Sequence, residues 1–117
     1  MKTLVVEDNA MTRGMIIELL TEMGHQVVGQ AGNGDEAVRV FQEQRPELVL
    51  LDLIMPGKTG MEALVEIKAI DPAVKIVIVT AVRQDLMSRE LLEKGAMAVL
   101  HKPFMYEELA DVLKKVA

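Results

Sequence analysis

Five short apolar runs, several rich in β-branched residues, alternate with longer amphipathic stretches, and no low-complexity insert interrupts the pattern. The runs are Thr3 to Val6, Gln26 to Ala31, Leu48 to Leu51, Lys75 to Thr80 and Ala98 to His101. Several are continuously apolar, as expected of strands covered on both faces, and strands alternating with helices pair in parallel because each return needs a crossover. The chain is therefore expected to be an α/β protein built on a parallel five-stranded sheet.

The stretches between the runs predict five helices. Asn9 can cap the first, which continues to about Met23 with Met15, Ile16, Leu19, Leu20 and Met23 at helical spacing before Gly24 ends it. The second spans about Asp35 to Gln44 and the third about Gly60 to Ile70, each stopping ahead of a proline, Pro46 and Pro72. The fourth spans about Asp85 to Lys94, with Gly95 as its stop, and the fifth about Tyr106 to Val116. Nothing after the fifth helix offers a linker, so one domain over residues 1–117, without an effector domain, is expected.

Composition narrows the function. A chain of 117 residues buries a core without staples. The absence of cysteine excludes a disulfide framework and thiolate metal sites, and fits a reducing compartment, so the cytoplasm is the expected location. No apolar run approaches the ~20 residues a membrane span needs, and the start of the chain is too short for a signal peptide, so no membrane partner is expected. A net charge of -5 argues against nucleic acid, whose phosphates are held by clustered Lys and Arg. Three aromatic residues give too little surface for stacking on bases. The nine methionines are expected mainly to fill gaps in the core, and any exposed ones would suit an adaptable protein interface.

Open parallel sheets place their ligands outside the carboxyl ends of the strands. There the sequence puts Glu7 and Asp8 after the first strand, Asp52 after the third, Thr80 and Ala81 at the fourth and Lys102 after the fifth. Three carboxylates held together need a cation, and an all-oxygen set suits a hard ion such as Mg²⁺. Lys102 adds a point charge, Thr80 a hydroxyl, and main-chain N–H groups after the third and fourth strands can face an anion. Asp52 lies between the two halves, placed to attack phosphorus and form an aspartyl phosphate.

In order and spacing these residues resemble the receiver domains of two-component response regulators, over essentially the whole chain. The resemblance rests on Glu7-Asp8, Leu50 to Gly57, Gly60, Thr80-Ala81, Gly95-Ala96 and Lys102-Pro103-Phe104. It implies a flavodoxin-like, doubly wound sheet of order 2-1-3-4-5, and a stand-alone receiver of the chemotaxis type. Asp52 would accept phosphate from a sensor histidine kinase or a small phosphodonor. Asp8, Asp52 and the Met55 carbonyl would bind Mg²⁺, with Glu7 acting mostly through a metal-bound water. Thr80 and Lys102, with the main chain of Ile54 and Ala81, would hold the phosphoryl group. Pro103 would follow a cis peptide that aims Lys102. The face of the fourth helix, fifth strand and fifth helix would dock a downstream partner, such as a motor, a phosphotransfer protein or another effector. The receiver would catalyse only its own phosphorylation and dephosphorylation, and so is not expected to be an enzyme in the usual sense.

Two departures from the family pattern stand out. Val99, three before Lys102, occupies a place where many receivers carry a switching aromatic. Ile54 and Val82, two beyond Asp52 and Thr80, are apolar where polar groups often position the attacking water, so a long-lived acyl phosphate is expected. Ile54 also stands where phosphatases with an aspartate nucleophile carry a second, general-acid Asp, which argues against such turnover. A flavin mononucleotide binder would need a phosphate loop after the first strand, where two carboxylates stand instead. Met55 to Gly60 lacks the Walker spacing, and His25 and His101 have no neighbouring ligand residue in sequence, so nucleotide binding and metal binding are not assigned there.

Overall fold

The computed structural model describes residues 1–116. In chain order the elements are β1 (Lys2–Val6), α1 (Ala10–Glu22), β2 (Gln26–Ala31), α2 (Gly34–Gln44), β3 (Leu48–Asp52), α3 (Gly60–Ile70), β4 (Lys75–Thr80), α4 (Asp85–Glu93), β5 (Ala98–His101) and α5 (Tyr106–Val116). The strands form one sheet of order β2-β1-β3-β4-β5. Every pairing is parallel, the flavodoxin-like arrangement expected.

Side-chain alternation divides the core into two layers, one on each face of the sheet. Leu4, Val6, Val49, Leu51, Ile76 and Ile78 pack with Phe41, Leu64, Ile67 and Leu91 of α2, α3 and α4. Val5, Leu50, Val77 and Val79 pack on the other face with Ile16 and Leu20 of α1 and Leu109 and Leu113 of α5. All five residues of central β3 are buried, whereas edge β2 buries only Ala31. Burying one large aliphatic side chain contributes about 1.5–3 kcal/mol, so these two layers are the main source of stability.

Local chemistry sets the helix starts. The Asn9 and Asn33 side chains accept from the N–H groups of Thr12 and Glu36, and Thr59 and Glu62 form a reciprocal capping box. α2 begins at Gly34, one residue earlier than expected. A Cβ at Gly34 would lie 2.6 Å from the Lys58 carbonyl, so the start of α2 and the β3–α3 loop pack backbone to backbone.

The methionines fit the core-filling expectation in part. Met55 is buried and Met1, Met23, Met61 and Met87 pack partly buried against the two layers, while Met11, Met15, Met97 and Met105 are largely exposed. Branched aliphatic side chains fill both layers, leaving few irregular gaps for a flexible thioether. In α1 the buried stripe runs through Ile16 and Leu20, with Ile17, Leu19 and Met23 at its margins. Met15 lies a third of a turn away from Ile16 and faces outward. Among the described residues, no helix is long and apolar enough to cross a membrane.

Candidate functional site

β1, β3, β4 and β5 end together, and the register of the sheet fixes which side chains meet. Val6 lies opposite Leu51, Asp52 opposite Val79 and Thr80 opposite His101. Glu7 extends the ladder by donating its N–H to Ala31, and the Lys102 N–H donates to the Thr80 carbonyl at 2.8 Å. The Lys102-Pro103 peptide is cis, as the resemblance implied. Glu7, Asp52 and Thr80 are buried, whereas Asp8 is exposed at the rim.

The central contact is ionic. Lys102 Nζ donates to Glu7 Oε1 at 2.6 Å and lies 3.5 Å from Asp52 Oδ2. One carboxylate oxygen each from Glu7, Asp8 and Asp52 lie within 4.8 Å of one another. Three carboxylates against one ammonium leave a surplus of two negative charges when all are ionised. That surplus, with oxygen donors only, fits a hard divalent cation such as Mg²⁺.

Burial first, then the hydrogen bond and negative charge of Glu7, push the Asp52 carboxyl up to about 7, with Lys102 and the Ile54 N–H only partly opposing them. Burial also raises the Glu7 carboxyl, but hydrogen bonds from Asp52, Lys102 and Asp8 outweigh it and hold Glu7 below the usual carboxylate range. Burial disfavours the charged Lys102, yet Glu7 and Asp52 together raise its pKa. The two buried acids therefore titrate as a pair, with the proton retained on the Asp52 side.

The backbone behind Asp52 admits no side chain at position 60. A Cβ at Gly60 would stand 2.2 Å from the Asp52 carbonyl oxygen, and the Gly60 N–H donates to the Leu53 carbonyl at 2.9 Å. The tight return brings the β3–α3 loop, with Ile54 and buried Met55, over the strand ends. Thr80 Oγ1 accepts from the Val82 N–H at 3.1 Å. Beside it a cavity of about 390 Å³ is lined by Thr12, Met15, Ala81, Lys102, Pro103 and Phe104. Ile54 is exposed and Val82 partly buried, so both flank the site as apolar groups. Val99 packs into the layer beneath α4.

Two supports escaped the sequence reading. Arg13 Nη1 donates to the Glu7 carbonyl at 2.7 Å and its Nε to Gln30 at 2.9 Å, fixing the end of β1. Lys58 pairs with Asp35 at 3.3 Å and also with Glu66, tying the β3–α3 loop to α2 and α3. The i, i+3 or i, i+4 spacing that signals a helical pair is absent in both cases, so no local pattern marks them. His25 lies away from the site, its Nδ1 3.3 Å from the α-amine of Met1.

Comparison with known proteins places this geometry. The family model described as the response regulator receiver domain matches residues 3–114. The chemotaxis protein CheY of Thermotoga maritima is 37% identical over 116 residues, covering 99% of this chain and 97% of the relative. Sporulation initiation phosphotransferase F of Bacillus subtilis is 38% identical over 114 residues, covering 97% and 91%. Among solved structures, CheY4 of Vibrio cholerae superposes with a TM-score of 0.92 at 29% identity, covering 99% of this chain and 98% of that one. A chain of the CheX-CheY-BeF3-Mg complex of Borrelia burgdorferi gives a TM-score of 0.96 at 24% identity, over 98% and 87%, a likeness of fold.

The raised Asp52 carboxyl sets a pH dependence. Because its folded pKa lies above the ordinary value of 3.8, the fold is favoured below that value and loses stability as pH rises through about 7. Asp52→Asn mimics the protonated acid without ionising. It is expected to be more stable than the parent by roughly 1–3 kcal/mol at about pH 8, by less at about pH 5, and nearly equal only at about pH 3, below the ordinary carboxyl value, as read by urea denaturation without divalent cations. A difference that does not change with pH would contradict the burial argument.

Proposed function

The chain belongs to the response regulator receiver domain family, and from that premise we propose that Asp52 is its phosphoacceptor, charged by a histidine kinase or a small phosphodonor. The observation that carries the reading is Lys102 lying between buried Glu7 and Asp52, with the Asp8 carboxylate alongside. An aspartate between a cation site and an ammonium can approach an anionic phosphoryl group that it would otherwise repel.

Mg²⁺, held by Asp8, Asp52 and the Met55 carbonyl with Glu7 acting mostly through a metal-bound water, would neutralise the carboxylates and the incoming phosphoryl oxygens. The chain's own groups do the rest. Asp52 loses its proton and one carboxylate oxygen attacks phosphorus. The bond from phosphorus to the donor's imidazole nitrogen, or to the carboxyl oxygen of an acyl phosphate, breaks and the donor departs with its electron pair. Lys102 swings from Glu7 to a phosphoryl oxygen, the Thr80 hydroxyl donates to a second, and the N–H groups of Ile54 and Ala81 face the remaining charge.

In this reading the receiver catalyses only its own phosphorylation and hydrolysis. Ile54, exposed two residues beyond Asp52, has no proton to give a leaving group, so an aspartate-nucleophile phosphatase is disfavoured. Output passes to a partner protein at the α4–β5–α5 face, where Leu86, Leu92, Met97 and Tyr106 are exposed. Motor binding fits this face, whereas onward phosphotransfer would bring a partner's histidine to Asp52 at the strand ends.

Incubation with acetyl phosphate is expected to add one phosphoryl mass to the intact chain, requiring both Mg²⁺ and Asp52; a gain that survives Asp52→Ala would move the acceptor elsewhere. The apolar flanks predict slow hydrolysis. Replacing Ile54 by Asn and Val82 by Glu is expected to shorten the phosphorylated lifetime by on the order of 10-fold, since each would help hold the attacking water. An unchanged decay of the label would remove the shielding role.

A further inference from the structure

Among the described residues, one buried side-chain polar atom has no hydrogen-bond partner, Nε2 of His101. His101 ends β5 and is the in-register neighbour of Thr80. Alternation fixes the face. Ile76, Ile78 and Val99 belong to the layer beneath α2, α3 and α4, while Val77, Val79 and Leu100 belong to the opposite one. Thr80 and His101, two residues beyond Ile78 and Val99, therefore stand side by side on the α4 side of the sheet.

The Thr80 hydroxyl oxygen is engaged by the Val82 N–H. Val82 lies in the segment joining β4 to α4, and the N-cap of α4, Gln84, makes no capping bond with its side chain. The segment is thus anchored at one end by the very hydroxyl that phosphorylation would call away. In register with Thr80 stands a residue whose buried ring nitrogen has nothing to bond, a costly arrangement that a state supplying a donor relieves. Val99 cannot serve, because its side chain has no polar atom.

We propose that His101 is a positioning residue coupling Thr80 to the β4–α4 segment: when the Thr80 hydroxyl turns to a phosphoryl oxygen on Asp52, the Val82 N–H it releases passes to His101 Nε2. The inference rests on the reading of Asp52 as phosphoacceptor. It requires a neutral ring with its proton on Nδ1, leaving Nε2 as acceptor. A hydrogen bond is exchanged and no covalent bond changes. The exchange gives the start of α4 a second discrete arrangement and favours it by roughly 3- to 10-fold in population, the weight of one hydrogen bond. The coupling carried elsewhere by a rotating ring at the Val99 position would here be carried by His101.

The test is NMR of the full chain uniformly labelled with ¹⁵N, titrated with Mg²⁺ and beryllofluoride, with phosphorylation by acetyl phosphate followed in parallel by intact mass. On activation the His101 Nε2 resonance should move upfield and the Val82 amide should shift. Thr80→Ala, which frees the Val82 N–H from the start, should show the shifted Nε2 before any addition and no further change. His101→Leu should fold and gain phosphoryl mass at the parent rate but lose most of the Val82 response, and His101→Gln, whose side-chain oxygen can accept, should restore it. An Nε2 resonance that stays fixed while the mass shows phosphorylation would overturn this inference and leave the phosphoacceptor reading standing. If neither donor nor beryllofluoride engages Asp52, the phosphoacceptor reading falls and this inference falls with it.

Discussion

Lys102 lies between two buried carboxylates, and the rest of the site depends on that contact. Its ammonium holds Glu7 at 2.6 Å and reaches Asp52 at 3.5 Å. Two acids this close and this buried cannot both ionise freely, so Asp52 retains its proton to about 7 while Glu7 stays charged. The pocket is thus short of positive charge. A hard divalent cation would relieve that shortage by adding the charge the carboxylates lack.

The fold holds this arrangement in place with few parts. Parallel pairing ends four strands at one edge, and the cis peptide before Pro103 turns the chain directly after Lys102. Gly60 lets the β3–α3 loop fold back against the Asp52 carbonyl, Lys58 ties that loop to α2 and α3, and Arg13 pins the Glu7 carbonyl. These supports lie outside the reacting groups, yet they decide whether three oxygens sit close enough to share an ion.

Much of this was legible in the sequence, for physical reasons. Strands buried on both faces must be largely apolar, so β3 and β4 stood out, and Asp52 and Thr80 are the last residues of these strands, at the carboxyl edge of the sheet. The capping residue Asn9 and the stops at Pro46 and Pro72 were equally local signals. The strand order was not local. It came with the family resemblance, since periodicity does not say which strand lies beside which. Nor did the sequence show that Lys102 would favour Glu7, a partner 95 positions away, over Asp52. Composition gives the number of methionines and not their faces, and four of the nine stand largely exposed while the others pack in or against the core. His101 passed as an ordinary histidine until register placed it beside Thr80.

The most direct test is to follow the Asp52 and Glu7 side-chain carboxyl carbons by NMR through a pH titration, with and without Mg²⁺. Without the metal Asp52 is expected to titrate near 7 and Glu7 below the usual carboxylate range, and Mg²⁺ is expected to lower the Asp52 midpoint. An Asp52 carboxyl that titrates like an exposed aspartate and ignores Mg²⁺ would contradict both expectations.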